Sequence, residues 1–254
     1  MYHPEPSRVQ EVNRADGDAL KPPSHAVPSA GVDLEVFGKA ATGTGNPSTQ
    51  RGDCPFSQRI YMELEEKRLP YKATYIQEGP DKPAWFMEKN PSGLMPVLRD
   101  GSEWIQDSER IFEHLEAKFP NPALKTPDEF KDVGSGIFPT FVEWLKSKDQ
   151  AHPAKQDLIK ELLSFNQHLQ KHGPYIAGEK PTDSDFTVAP KLRHARVALG
   201  QIMGFAFPEK LEALHKYIEL MEARSSFIHT DSPDEMIICG WRKKFSLPEK
   251  LDYE

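Results

Sequence analysis

The spacing of apolar residues changes character once along this chain, at a proline-punctuated stretch running from Pro120-Asn-Pro122 to Pro127. Before it, short β-favouring runs alternate with helical patterns. Beyond it, apolar residues recur at three- and four-residue spacing almost without interruption. A chain carrying both patterns must build two units of unlike class, α/β first and all-α second. Its 254 residues are enough for one large domain or two small ones.

In the first unit, Leu34-Glu-Val-Phe37 suggests a strand. The flexible segment from Gly43 to Ser48 leads on to Cys54. From Pro55 the spacing predicts a helix with Phe56, Ile60 and Leu64 on its apolar stripe, and proline suits the first helical position. Leu69 to Ile76 reads as a strand, and a short amphipathic piece surrounds Trp85. Met95 to Leu98 and Glu103 to Ile105, joined through Asp100-Gly101, form a predicted hairpin. Asp107-Ser108 opens a helix to Phe119. Strand, helix, strand, helix, hairpin, helix is a thioredoxin-like layout, and it covers 33–119. Residues 120–131 are a linker. Residues 132–254 form an all-helical unit, with helices expected over 137–148, 156–171, 186–200 and 209–222. Thr182-Asp-Ser-Asp185 has the form of a capping box with Asp in place of Glu. Residues 1–32, rich in Pro, Ser, Gly and charge, read as a disordered extension.

Composition excludes several functions. No apolar run approaches membrane-spanning length, so a constitutive transmembrane helix is excluded. A formal charge of −7 argues against nucleic acid as partner. The first thirty residues lack the apolar core of a secretory signal and carry acids that transit peptides avoid, which favours the cytosol, with a chloroplast or other organelle as alternative. His168 and His172 lie one helical turn apart, but no third ligand stands out, so no metal is expected.

Only two cysteines are present, Cys54 and Cys239. Cys54 directly precedes a predicted helix, whose unpaired N–H groups and dipole favour negative charge, so its thiol pKa is expected to fall. Ser57 occupies the place where a two-cysteine oxidoreductase keeps its resolving thiol, so an oxidised Cys54 needs an external thiol. Glutathione is the abundant candidate. Asp107-Ser108 at a helix start suits the γ-glutamyl end of that tripeptide, and also suits a plain helix cap.

Gly52-Asp-Cys-Pro-Phe-Ser-Gln-Arg59 resembles the active-site segment of dehydroascorbate reductases of the glutathione-transferase superfamily, and more loosely those of omega-class glutathione transferases and chloride intracellular channel proteins. Leu64-Glu-Glu-Lys67, Leu69-Pro-Tyr-Lys72, Asp81-Lys-Pro-Ala-Trp-Phe86, Ile137-Phe-Pro-Thr-Phe-Val142, Gly173-Pro-Tyr-Ile-Ala-Gly-Glu179 and Ala189-Pro-Lys-Leu192 extend the likeness from about Leu34 to Trp241. The resemblance implies a glutathione-transferase fold and the reduction of dehydroascorbate by two glutathiones. In that ping-pong scheme Cys54 is oxidised as ascorbate leaves, then passes through a glutathione mixed disulfide. It implies no bound cofactor, glutathione as co-substrate, and a monomer.

The resemblance also implies roles by position. Lys39, Asp53 and Trp241 would meet dehydroascorbate or ascorbate. Lys39, Asp53, Lys82, Val97, Asp107, Ser108, His194 and Trp241 would meet glutathione, with Pro96 as the cis-proline. Leu94 stands where plant enzymes often carry lysine, and Arg242-Lys-Lys244 reads as a solvated end. The rival readings are an omega-like thioltransferase, a membrane-inserting channel-like protein and a glutathione-binding module without turnover. The charges between Gln58 and Lys67 make that segment a poor bilayer helix.

Overall fold

Leu34, Val36 and Phe37 are buried in a strand whose neighbours complete a four-stranded mixed sheet. The computed structural model describes residues 33–42, 48–80 and 82–247. The extension expected at 1–32, most of the Gly43 to Ser48 segment and Asp81 lie outside the described residues. Strand β1 (Leu34–Lys39) leads to helix α1 (Pro55–Glu66), then β2 (Lys72–Ile76) and the short α2 (Ala84–Lys89). Strands β3 (Val97–Asp100) and β4 (Glu103–Gln106) form the hairpin, and α3 (Ser108–Lys118) follows. The sheet order is β2-β1-β3-β4, with β1 parallel to β2 and antiparallel to β3. The second predicted strand starts three residues late, at Lys72, because Arg68 takes a positive φ and Pro70 cannot donate to a ladder.

After a single 3-10 turn at Asp128–Phe130 come α4 (Ile137–Ser147), α5 (Ala154–His172), α6 (Asp183–Met203), α7 (Glu212–Glu222), α8 (Ser225–Ile228) and α9 (Asp234–Phe245). The sequence reading found four of these helices and missed α8 and α9. The first is only four residues long, and the second has a weak apolar stripe interrupted by Gly240. At the head of α6, the Thr182 N–H donates to Asp185 Oδ2 at 2.8 Å, so the Asp-for-Glu capping box forms. Asp185 also receives the Ile176 N–H at 3.0 Å, fastening the preceding loop.

The helical unit docks on the sheet unit through α1 and α6. Ile60, Met62 and Leu64 are buried along α1. Phe56, expected on the same stripe, is 39% exposed and packs edge-on against Phe138 of α4. Polar ties sit inside this seam. Arg59 donates from Nε to Asp183 Oδ1 at 2.8 Å, from Nη2 to Asp183 Oδ2 at 2.6 Å and to Glu109 at 2.7 Å, and from Nη1 to Ser108 Oγ at 3.3 Å. One guanidinium therefore joins α1, α3 and α6. Lys67, at the end of α1, pairs with Glu116 and donates to the carbonyls of Phe119 and Pro122 at 2.8 and 2.9 Å, holding down the start of the linker.

Removing Arg59 would leave the buried Asp183 carboxylate without its counter-charge, a loss of about 3–5 kcal/mol for a buried pair broken on one side. Arg59→Ala is expected to lower the urea midpoint accordingly. A shift within error of wild type would show that the seam does not depend on this pair.

Candidate active site

Strand register decides which residues can meet. Phe37 faces Val97 across β1 and β3, and Val97 faces Gln106 across β3 and β4. The end of β1, the start of β3 and the end of β4 therefore lie in one row at one end of the sheet. Lys39 sits two residues beyond Phe37, Pro96 just before Val97, and Asp107-Ser108 just after Gln106. The chain after β1 doubles back on itself: Ala40 bridges Arg51, and the Gly52 N–H donates to the Lys39 carbonyl at 2.7 Å. That return delivers Asp53 and Cys54 to the same end.

Cys54 is the N-cap of α1, in extended conformation, with Pro55 in the first turn. The sequence reading expected the thiol pKa to fall. Its direction is the opposite. Cys54 keeps part of its surface open, yet it is set deep among protein atoms, and burial pushes the thiol up. The Ser57 hydroxyl, the backbone N–H groups of Ser57 and Phe56, and the Lys39 ammonium all pull it down without overcoming that desolvation. The helix terminus supplies the donors that were expected, but the burial outweighs them.

Beside the sulfur, Lys39 Nζ lies 2.9 Å from Asp53 Oδ1 and 3.3 Å from Glu78 Oε2. Burial works against the Lys39 charge, but the Asp53 and Glu78 carboxylates more than restore it, and its pKa is raised. Asp53 is itself pushed up by burial, which the Lys39 ammonium counters only in part. The helical unit closes this corner from the other side. Arg51 donates to the His229 and Asp231 carbonyls at 3.0 and 2.8 Å, and Ser232 Oγ to the Gly52 carbonyl at 3.2 Å. Gly240 of α9 lies flat on the Asp53 carboxylate, where a Cβ would collide with it.

The remaining residues singled out from sequence divide into two groups. Met95–Pro96 is cis, Val97 is buried at the head of β3, and Lys82 lies over Gly93 in the loop before them. Asp107, at φ +73°, spends its carboxylate on the helix cap, accepting the Glu109 N–H at 2.9 Å, while the Ser108 hydroxyl faces Arg59. Such a backbone conformation in a non-glycine residue costs of order 1–3 kcal/mol and concentrates at ligand sites. His194 and Trp241 form the second group. His194 is only 2% exposed and takes the Trp241 indole N–H on Nδ1 at 3.0 Å, and burial with nearby cations lowers its pKa to about 3. Trp241 is packed against Phe138, Phe141 and Phe245. Both belong to the wall of the helical unit. His168 and His172 stack on each other at 4.6 Å.

Two lysines that the sequence reading left at a solvated end take part as well. Lys243 and Lys244 are exposed, yet with Lys39, Gln77 and Gly240 they line a recess of about 250 Å³. Their place follows from α9 lying against Asp53, which only the packing of Gly240 reveals. Leu94 is 73% exposed on the loop leading to the cis-proline.

Two measurements check this geometry. Alkylation of Cys54 by iodoacetamide should rise with pH through a midpoint above that of an ordinary thiol, and Ser57→Ala and Lys39→Met should each move it higher still; a midpoint below the ordinary thiol range would contradict the burial argument. Gly240→Ala should displace Asp53 or α9 and lower turnover at least tenfold, about 1.4 kcal/mol, with the sheet unit still folded by circular dichroism.

Residues 53–118 match the family described as glutathione S-transferase, N-terminal domain, and residues 149–220 the glutathione S-transferase, C-terminal domain. The glutathione S-transferase DHAR2 of Arabidopsis thaliana is 45% identical over 212 residues, covering 83% of this chain and 98% of that relative. The chloroplastic glutathione S-transferase DHAR3 of the same plant is 40% identical over 216 residues, covering 85% and 82%. The crystal structure of Chlamydomonas reinhardtii dehydroascorbate reductase superposes with a TM-score of 0.73 at 33% identity, covering 83% of this chain and 97% of that one. Both domains in order, and a likeness running the length of these relatives, show that the chain belongs to the glutathione S-transferase family, in its DHAR branch.

Proposed function

We propose that this protein reduces dehydroascorbate to ascorbate at the expense of two glutathiones, with Cys54 as nucleophile. The observation that carries the reading is a lone thiol at the head of α1, with a serine in the resolving position and a buried Lys39–Asp53 pair beside it. The Cys54 thiolate adds to a carbonyl carbon of dehydroascorbate, and Lys39 stabilises the oxyanion that forms. The first glutathione thiolate attacks the Cys54 sulfur. The sulfur–carbon bond breaks, its electron pair stays with the departing ascorbate, and a mixed disulfide is left. A second glutathione thiolate attacks the glutathione sulfur of that disulfide, releasing glutathione disulfide and the Cys54 thiolate.

Asp53 accepts hydrogen bonds from the substrate's hydroxyls and so orients it, and the Lys243–Lys244 side of the recess favours the anionic product. Lys82 meets a glutathione carboxylate, the backbone at Pro96-Val97 pairs with its cysteinyl part, and Asp107-Ser108 hold its γ-glutamyl end. His194 and Trp241 shape the opposite wall of the groove. We take the working unit to be a monomer acting in the cytosol. Among the described residues no helix is long and apolar enough to cross a membrane.

Steady-state reduction of dehydroascorbate should fall about a thousandfold or more in Cys54→Ser, at an unchanged melting temperature. The wild-type kcat/KM for dehydroascorbate should exceed that for a glutathionyl mixed disulfide; the reverse order would replace this reading with an omega-like thioltransferase. Because the thiol pKa is raised, the thiolate fraction grows with pH, so the rate limited by Cys54 should climb from neutral into alkaline solution.

A further inference from the structure

A cavity of about 690 Å³ lies between α3, the 131–135 turn and the first half of α6, apart from the recess beside Lys39. Lys191 and Thr187, one turn apart on α6, line it together. No carboxylate of the described residues lies within 4.0 Å of the Lys191 ammonium. Its ammonium instead rests 5.2 Å from the Phe56 ring centre and 5.7 Å from that of Phe138. Burial and, after it, the Arg59 guanidinium depress its pKa, and the more distant Asp183 and Glu109 carboxylates offset them only in part. The Thr187 hydroxyl is buried and has no hydrogen-bond partner. A cation and an orphaned hydroxyl on one helical face make a place for a carboxylate. Of the acids that line the cavity, Glu109 and Asp183 are engaged by Arg59 and Glu116 by Lys67, Asp132 lies on the 131–135 turn, and Glu113 of α3 offers an acid for an ammonium. The arrangement suits a zwitterion whose carboxylate and amine share one carbon.

Lys191 also links this cavity to the head of α1. Phe56, on which the Lys191 ammonium rests, follows Cys54 by two residues at the head of α1. The reaction proposed above needs two glutathiones in turn, and the groove formed by Pro96, Val97 and Ser108 holds one of them. From the geometry, we infer that the α3–α6 cavity receives the γ-glutamyl end of the second glutathione, the one that attacks the mixed disulfide. This inference rests on the reading of Cys54 as nucleophile. Lys191 and Thr187 would bind its carboxylate and Glu113 its amine, leaving the cysteinyl thiol directed toward the head of α1.

The test separates the two half-reactions. Enzyme loaded as the Cys54–glutathione mixed disulfide is mixed with glutathione, and release of glutathione disulfide is followed in a single turnover. The wild-type rate should saturate with glutathione. Lys191→Met should raise the half-saturating concentration about tenfold or more, the effect of losing one charged hydrogen bond. Thr187→Val should move it in the same direction, and Lys191→Arg should stay within about threefold of wild type. Formation of the mixed disulfide with the first glutathione should be unaltered in all three. A wild-type rate strictly linear in glutathione, an unmoved half-saturation in Lys191→Met, or equal losses in both half-reactions would overturn the cavity assignment while leaving Cys54 chemistry standing. Failure of the wild type to form any Cys54 mixed disulfide would overturn both.

Discussion

The guanidinium of Arg59 is the point through which the rest of the architecture is held in place. It is buried, it faces carboxylates from two other helices, and it touches the serine that opens α3. A buried cation of this kind adds little net stability over an apolar packing of the same shape, but it tolerates few alternative arrangements of its partners. Planar, forked donors fix direction as well as distance. The head of α1, the head of α3 and the head of α6 are therefore set relative to one another by a single side chain. Everything placed at those three helix starts, Cys54 and Asp107-Ser108 included, inherits its position from that constraint.

At the sulfur, two effects of opposite sign meet. A helix terminus and a lysine favour the thiolate, while burial favours the neutral thiol. The outcome is a thiol above its usual range whose ionised form is correspondingly more nucleophilic. The same contest recurs around it. The Lys39–Asp53 pair is strong enough to keep the lysine charged, yet the aspartate is pushed upward. Few polar groups stand at this corner, in a poorly solvated setting where each hydrogen bond counts for more than it would in water.

Much of this was legible in the linear sequence, and the parts that were not share a cause. The α/β unit could be read because proline, apolar alternation and turn residues are local signals, as at Cys54-Pro55 and the Asp100-Gly101 hairpin. The capping box at Thr182 was equally local. Helix α9 escaped because its stripe is broken by Gly240, whose reason for being glycine is a contact with Asp53 far away in the chain. Lys243 and Lys244 were read as a solvated end, since nothing nearby in sequence connects them to Lys39. The direction of the Cys54 pKa was missed for a related reason. A helix terminus is visible in sequence, but the depth at which it is buried is a property of two units packed together. Residue likeness to a family singled out Lys39 and Asp53 without showing that they pair, and the hydrogen bond between His194 and Trp241 emerged only from the packing of α6 against α9.

The flat contact between Gly240 and Asp53 has a consequence for how such a protein can change over time. Any side chain at position 240 requires room that the carboxylate at 53 now occupies, so the two positions cannot drift independently. A lineage that shortens residue 53 first gains freedom at 240, whereas one that enlarges 240 first passes through a damaged enzyme. The order of substitution is thereby restricted, and two sites 187 residues apart in sequence (240 less 53) should share a common evolutionary history.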